Sequence, residues 1–413
     1  MNAKGETMDE QRLPGDFHPF QDPEEVFANG EQLVARCPVG WSENDGGFWV
    51  VAGRAPVFEV LTQPALFQVG GEERAVRIPS DPPGFNRPLM PPQDVNPPIH
   101  RDFRAIINPF LSPQAMARHE PAFRKMIGSL VERFASDGRC DAAEQFAKVF
   151  PAKLAFRELF SIRDDEETDR VLTWVTRIAY GRFREPPAII RELQSNWNHW
   201  CDEFVERRRT ERHDDVVDAL LFGHVDDGRP LTHLEIVGAI QVLILGGFMT
   251  TSDATCNLLV ALAEHPEIEP RLRAEPSLLS AFIEEVLRLE PPVAARFRRC
   301  TAGVELGAET IEAGQRLLVH LAAANRDPAE FDHPDELDLD RPSNRHFTFG
   351  AGVHRCVGSS MARLTLTIAI EELLRRVENI RFDGDGRASR LSVSGATWRL
   401  VDALPIRFDT RVR

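Results

Sequence analysis

The longest helical pattern in this 413-residue chain is an apolar stretch that begins near Thr232 and stops before Pro266. Thr232 and Glu235 have the spacing of a capping box, which favours a helix start, and the proline favours an end at His265. About 33 residues would give a helix of roughly 50 Å, at about 1.5 Å per residue. Such a helix would cross the whole molecule, so the other segments must pack around it.

Two adjacent glycines interrupt this apolar pattern at its midpoint. Gly246 and Gly247 each cost about 1 kcal/mol relative to alanine inside a helix, so we expect another group to approach the helix closely there. Thr250 follows one turn later, and its hydroxyl can relay a proton. The same hydroxyl can also bond back to the carbonyl four residues earlier, and both uses can hold together.

A glycine-rich segment with a single cysteine is the clearest chemical signal. Residues 349–358 read Phe-Gly-Ala-Gly-Val-His-Arg-Cys-Val-Gly, and glycine allows the tight turns and close approach that a flat cofactor needs. Arg355 and the start of the next helix are expected to favour the thiolate form of Cys356. Such a thiolate suits haem iron, where it favours O–O cleavage. The alternative is a glycine-rich turn that holds a buried free cysteine.

This segment resembles the signature of the cytochrome P450 family, and the similarity extends from Pro97 to Phe408. The matching positions are Phe349, Gly352, His354 (where arginine is more frequent), Cys356 and Gly358. The resemblance implies a mainly α fold with a minor β component, in which a long central helix lies over the haem and the cysteine loop and its helix lie beneath. Residues 1–30 are expected to be an irregular lead-in, and residues 31–413 a single catalytic domain.

The resemblance also implies haem b, with Cys356 as the ligand of its iron. Buried haem carboxylates need charge-assisted donors, and the family positions for them are His100, Arg104, Arg298 and His354, with Arg296 as the second choice on the same strand. Without the resemblance, His100 and Arg104 would be read as a surface helix face. The remaining expected haem contacts are Phe349, Gly350, Gly247 and Gly358.

Three charged residues match a structural triad of the family. Glu285 and Arg288 are three positions apart on a predicted helix and can pair, and Arg341 lies at the end of a segment rich in proline and aspartate. The resemblance implies that they hold this segment, the meander, against the haem-binding core. Taken alone, the first two would be read as a solvated ion pair.

The central helix departs from the family pattern at one position. Met249 stands where the family has an aspartate or glutamate, and methionine cannot carry a proton. Proton delivery would then use Thr250 and ordered water, or another acid, for which Asp253 is the only nearby candidate in the helix. We expect slower or less tightly coupled oxygen activation, and the departure also favours peroxide-driven chemistry.

The substrate pocket is predicted to be mostly apolar, which suits a hydrophobic small molecule. The proline-rich stretch from Gly70 to Pro98 is expected to form a lid that contributes to it. Phe248 and Trp398 could equally be core residues. The predicted pocket residues are Ile244, Phe248, Val293, Ala294, Ala295, Thr397 and Trp398.

Composition excludes several other classes of function. The formal net charge of −15 argues against nucleic acid and anionic membranes as partners. The first 19 residues are polar and indicate neither a signal peptide nor a membrane anchor. The six cysteines are far apart in sequence, which fits reduced thiols and predicts a cytoplasmic protein of bacterial type.

The leading hypothesis is therefore a haem-thiolate monooxygenase. It would insert one oxygen atom of O2 into an organic substrate, by hydroxylation or by O- or N-demethylation. Electrons would come from a separate ferredoxin and ferredoxin reductase, for which Arg101, Arg355 and Arg363 could form a basic patch. The alternatives are a peroxide-driven peroxygenase and, from another class, a haem sensor without turnover, which the proton-relay residue Thr250 argues against.

Overall fold

The computed structural model describes residues 34, 38–71, 75–78, 89–181, 185–225, 228–384, 389–393 and 398–411. The predicted mainly helical fold with a smaller sheet component is confirmed. The predicted lead-in, residues 1–30, lies outside the described residues, as does much of the predicted lid.

Helices make up most of the described chain. They are α1 Arg54–Thr62, α2 Ile99–Leu111, α3 Pro113–Phe134, α4 Phe150–Leu159, α5 Asp165–Gly181, α6 Pro187–Thr210, α7 Val216–Phe222, α8 His233–Glu264, α9 Ile268–Ala274, α10 Leu279–Leu289, α11 Leu321–Ala324 and α12 Ser359–Arg376. Single turns of 3-10 helix occur at Asn44–Gly46, Ala135–Asp137, Pro276–Leu278 and Gly352–His354, and a π-helical turn at Ala143–Ala147.

The strands are short and form several small sheets. They are β1 Val39–Ser42, β2 Phe48–Val51, β3 Phe67–Gln68, β4 Arg139–Asp141, β5 His224–Val225, β6 Arg229–Pro230, β7 Ala295–Cys300, β8 Val304–Leu306, β9 Glu309–Ile311, β10 Arg316–His320, β11 Val377–Phe382, β12 Ser389–Val393, β13 Trp398–Ala403 and β14 Pro405–Thr410. The largest sheet has the order β1-β2-β10-β7-β3. Its β2–β10 pair is parallel and the other pairs are antiparallel.

The sequence pattern of residues 391–408 predicts a single hairpin, and the structure differs from that prediction. The hairpin consists of β12 and β13. The next strand, β14, leaves it and pairs with β11 and β4 in a separate three-stranded sheet. The alternating pattern of the sequence indicates strands here, but the choice of partners depends on long-range contacts.

The predicted central helix is present as α8. Its capping box is formed: the Thr232 hydroxyl accepts a hydrogen bond from the Glu235 amide at 3.3 Å, and the Thr232 amide donates to the Glu235 carboxylate at 2.8 Å. Helices α4, α6, α10 and α12 contact α8. Among the described helices α8 is the one long and apolar enough to span a membrane, but 61% of its most apolar window is buried. Its position is that of a core helix.

The Glu285 carboxylate lies at the centre of a buried hydrogen-bond network. Arg288 donates to it through Nε and Nη2 at 2.8 and 2.9 Å, Arg341 Nε at 2.9 Å, and Asn344 Nδ2 at 2.9 Å. Glu285 and Arg288 are 1% and 0% exposed, so a solvated ion pair is the wrong interpretation. Burial opposes ionisation, yet the hydrogen bonds and the positive charges outweigh it and lower the pKa of Glu285.

The same network attaches the meander to α10. Arg288 donates to the backbone carbonyls of Asn325, Pro334 and Glu336 at 3.1, 2.5 and 2.9 Å. Arg341, at the far end of the meander, donates to the carbonyl of Asp332 at 2.7 Å. Five guanidinium donors in a planar fork can satisfy several acceptors at once, which suits arginine to this position.

We expect Glu285→Gln to destabilise the protein by about 3–5 kcal/mol, because two buried arginines lose their counter-charge. Urea unfolding of the holoenzyme, followed by circular dichroism, measures this. The matched control is Glu371→Gln, which breaks a half-exposed pair with Arg124 and should cost less than about 1 kcal/mol. Equal losses in the two variants would contradict the structural role.

Candidate active site

One cavity of about 400 Å³ lies where α8 meets the segment of residues 349–358, here called the cysteine loop. From α8 it is lined by Gly246, Gly247 and Thr250, and from the loop by residues that include Cys356. The two segments that carry the strongest sequence signals are more than 90 positions apart in the sequence. The fold brings them to the same cavity.

The backbone of the cysteine loop requires glycine at two positions. Gly350 and Gly352 have φ angles of +68° and +65°, a region that side chains with a Cβ rarely adopt. A Cβ on Gly352 would lie 2.3 Å from the carbonyl oxygen of Leu61. Gly358 has an ordinary φ of −82°, so the turn does not depend on it, although a Cβ there would lie 3.9 Å from the Cys356 sulfur.

The Cys356 side chain is exposed, and because it lines the cavity its exposed surface opens there. Burial raises the pKa of the thiol, and this effect outweighs the Gly358 amide and the positive charges of Arg296, Arg104 and Arg355. As expected from the sequence, Arg355 and the amide at the helix start favour the thiolate, although desolvation of the thiol outweighs them. A bound metal would hold the sulfur as thiolate, since coordinating thiols are deprotonated.

Four side chains on the cavity wall form a set of donors, here called the carboxylate-binding set: His100, Arg104, Arg298 and His354. The two histidine rings lie 4.3 Å apart between centroids. Arg104 also donates to the carbonyl of Arg355 at 2.6 Å, which ties α2 to the cysteine loop. His100 is 2% exposed and Arg298 is 5% exposed. The alternative that His100 lies on an exposed helix face is therefore wrong.

The set leaves buried polar atoms without partners. His100 Nδ1 and His354 Nε2 are buried and have no hydrogen-bond partner among the described residues. Burial, aided by Arg104, lowers the pKa of His100 to about 4, and burial with Arg298 lowers the pKa of His354 to about 3. Both rings are therefore neutral donors at pH 7. Two arginines and two unpartnered imidazoles fit the two buried carboxylates of a haem.

Two α8 residues at the cavity carry the features predicted for oxygen activation. Thr250 Oγ1 donates to the carbonyl of Gly246 at 2.9 Å, so its back-bond is present and the side chain still lines the cavity. A Cβ on Gly246 would meet nothing within 4 Å, which leaves space beside the helix. Met249 is 1% exposed and also lines the cavity.

Asp253 does not serve this cavity, which corrects the expectation from the sequence. It is 1% exposed and absent from the cavity wall. Its Oδ1 accepts a hydrogen bond from the Val401 amide at 3.1 Å, and its Oδ2 has no partner among the described residues. Burial raises the pKa of this carboxyl well above its usual value. Asp253 therefore connects α8 to β13.

The predicted substrate residues divide into three groups. Val293 lines the cavity, whereas Ile244, Phe248, Ala294 and Ala295 are buried in the core away from it. Thr397 and the side chain of Trp398 lie outside the described residues. The core environment of Phe248 agrees with the alternative that it is a core residue.

Sequence reasoning missed several wall residues of this cavity. On α8 these include Leu243 and Ala254, which share one helix face with Gly247 and Thr250 by the periodicity of the helix. That periodicity was the available signal. The residues missed on other segments include Met90, Asp94, Gln194, Trp197 and Leu287.

The predicted basic patch is weaker than the sequence suggests. Arg101 and Arg355 are exposed, but Arg363 donates from Nε and Nη2 to the two oxygens of Glu284, both at 2.7 Å. Arg363 also lies 4.3 Å from the centroid of the Phe349 ring. Its charge is therefore compensated, and its role is to hold the start of the cysteine loop.

The similarity of this chain to known proteins agrees with the geometry. The model of the cytochrome P450 family matches residues 96–380. Cytochrome P450 107B1 of Saccharopolyspora erythraea is 30% identical over 368 residues, which cover 87% of this chain and 89% of that protein. Linalool 8-monooxygenase of Pseudomonas putida is 28% identical, covering 91% of this chain and 94% of that protein.

Solved structures support the same conclusion. Cytochrome P450 CYP109Q5 from Chondromyces apiculatus superimposes with a TM-score of 0.81 at 28% identity, covering 95% of this chain and 97% of that one. The chain belongs to the cytochrome P450 family and is an oxidoreductase of the monooxygenase class. Membership implies a haem-thiolate cofactor, a small-molecule substrate, O2 and a redox partner.

We expect Gly352→Ala to destabilise the protein by more than about 3 kcal/mol, because a positive φ and an overpacked Cβ add their costs. Gly314→Ala is the matched control: its φ is also positive, but nothing lies within 4 Å of its added Cβ. It should cost only about 1–2 kcal/mol. Urea unfolding of both variants measures the difference, and equal costs would show that the contact with Leu61 is unimportant.

Proposed function

We propose that this protein is a haem b monooxygenase that inserts one oxygen atom of O2 into a small hydrophobic organic substrate, by hydroxylation or by O- or N-demethylation. The observation that carries the proposal is that Cys356, the carboxylate-binding set and Thr250 line one cavity. A relative named linalool 8-monooxygenase supports a small hydrophobic substrate. Residues 31–413 would form one catalytic domain.

The cysteine loop and the carboxylate-binding set would hold the cofactor. Cys356 would be the iron ligand, with its amide bonded to the Phe349 carbonyl at 2.8 Å, and Phe349, Gly350, Gly247 and Gly358 would contact the ring. Haem bound in this way supplies the oxidative chemistry that a thiolate ligand favours. Arg104 and Arg298 would balance the two propionate charges, and the neutral His100 and His354 would donate to the propionate oxygens.

Thr250 would deliver protons on the α8 side of the cavity. Its hydroxyl could exchange the bond to the Gly246 carbonyl for one to water and so pass a proton into the cavity. Met249 offers no proton, and Asp253 faces Val401. The relay would therefore consist of Thr250 and ordered water.

The electrons would come from separate proteins, a ferredoxin and its reductase, in a bacterial cytoplasm. The exposed Arg101 and Arg355 support a docking surface for an acidic partner. A net charge of −15 argues against docking on nucleic acid or on an anionic membrane.

A peroxide-driven reaction is the second candidate. The observation in its favour is that Asp94, the one acid on the described part of the cavity wall, is already bonded to Arg77. Hydrogen peroxide brings its own protons and needs no redox partner. Turnover of one bound substrate with reduced ferredoxin and O2, compared with peroxide alone, separates the two candidates.

Reduced, carbon-monoxide-treated holoenzyme is expected to show the thiolate-type Soret band, and Cys356→Ser is expected to lose it. Serine cannot supply the thiolate sulfur that the band reports. Cys140→Ser is the matched control because Cys140 is buried outside the cavity. A Cys356→Ser variant that keeps the band would refute the proposed ligand.

Met249→Asp is expected to raise the fraction of electrons that appear in product by up to about tenfold, because a carboxylic acid at this position can donate protons. A well-placed general acid raises a reaction rate by about 10²–10⁴-fold. Product formed per NADH consumed, with saturating reductase and ferredoxin, measures this coupling. Met249→Leu keeps the apolar side chain and should leave coupling unchanged. Unchanged coupling in the aspartate variant would show that proton supply at this position does not limit the reaction.

A further inference from the structure

Arg296 is an arginine of the cavity wall outside the carboxylate-binding set, and its charge has no partner among the described wall residues. It lies on β7 two positions before Arg298, so both project from the same face of the strand, and both line the cavity. Arg299, on the other face, is exposed. Among the described residues, none forms a hydrogen bond or ion pair with the Arg296 guanidinium.

The nearest charges do not neutralise Arg296. Asp94 accepts two bonds from Arg77 Nη2, at 3.2 and 3.3 Å, and further bonds from Met90 N and Gln93 Nε2, both at 3.2 Å. Its oxygens are therefore occupied. Burial and the positive charge of Arg77 lower the pKa of Arg296 to about 10, against the opposing pull of Cys356 and Asp94. Arg296 is still protonated at neutral pH.

The haem carboxylates would not need this charge. Two propionates carry two negative charges, which Arg104 and Arg298 would balance. Arg296 acts on its strand neighbour Arg298, and the charged groups that act on Arg296 itself include Arg77, Cys356 and Asp94. Arg296 therefore adjoins both the carboxylate-binding set and the segment that holds Met90 and Asp94, and it would remain as a third positive charge once the propionates are balanced.

We propose that Arg296 binds a carboxylate of the substrate, so that the substrate is a hydrophobic carboxylic acid. This inference rests on the proposed function and narrows its substrate class. Arg296 is half-buried, and a partly desolvated charge without a partner is costly. A guanidinium can bind a carboxylate through two parallel hydrogen bonds. The apolar wall residues, among them Leu243, Leu245 and Val293, would contact the hydrocarbon part.

Ligand titration of the ferric holoenzyme tests this inference without turnover. The probes are dodecanoic acid and 4-isopropylbenzoic acid, each compared with its methyl ester, and the signal is the high-spin shift at pH 7.4. We expect at least one acid to bind about tenfold or more tightly than its ester, because hydrogen bonds to charged groups are the stronger ones. The absence of such a preference for both acids would overturn the inference.

Three variants assign the preference to Arg296. Arg296→Gln should abolish it and leave ester binding unchanged, whereas Arg296→Lys should keep part of it because the charge remains. Arg299→Gln is the matched control on the exposed face of β7 and should behave like the wild type. A preference that survives in Arg296→Gln would overturn the inference.

Haem content separates this role from a propionate contact. Arg296→Gln should retain as much haem as the wild type, measured as pyridine haemochromogen per protein. Loss of haem from this variant alone would assign Arg296 to the propionates and overturn the inference. A missing thiolate-type Soret band in the wild type would instead refute the proposed function, so the two failures are distinguishable.

Discussion

The buried carboxylate of Glu285 is the interaction on which the position of the cysteine loop depends. It anchors Arg288 on α10, and Arg288 binds the meander carbonyls of Pro334 and Glu336. Asn325 then donates to the Arg288 carbonyl at 3.2 Å and accepts from the Phe347 amide at 2.6 Å. Through these bonds α10 holds the chain just before residue 349 in place. The position of that chain sets the direction in which the cysteine loop begins.

The free-energy cost of burying an unpaired polar group also explains which residues line the cavity. Unpaired donors are costly away from water, yet among the described residues this cavity has neutral histidines with unpartnered nitrogens and an arginine without a counter-ion. A protein retains such groups where a ligand supplies the missing acceptors. The haem carboxylates would satisfy the carboxylate-binding set, and a substrate carboxylate would satisfy Arg296. The donors on the cavity wall are therefore explained by the anions that the cavity would bind.

Features that depend on neighbours in sequence were predictable. The capping box of α8, the pairing of Glu285 with Arg288, and the glycine turn around Cys356 each need only a few adjacent residues, and the structure contains all three. The rotation of α8 does not follow from its composition, because both faces of this helix are apolar, but the positions of Gly247 and Thr250 indicate it through the periodicity of the helix. Ile244 packs in the core and not at the cavity, and Phe248 does the same, in agreement with its alternative as a core residue. Asp253, the alternative acid for proton delivery, binds Val401 instead.

The sequence by itself determined the family, the helical class and the cysteine that matters, since these follow from local spacing and residue type. Tertiary structure alone decided that Asp253 binds Val401, that burial outweighs Arg355 at the Cys356 thiol, and that Arg363 is compensated by Glu284. It also decided that, within the described part of the chain, Arg77 has a charged partner and Arg296 has none. Burial and pairing of charges arise from residues far apart in the chain, so only the folded molecule reveals them.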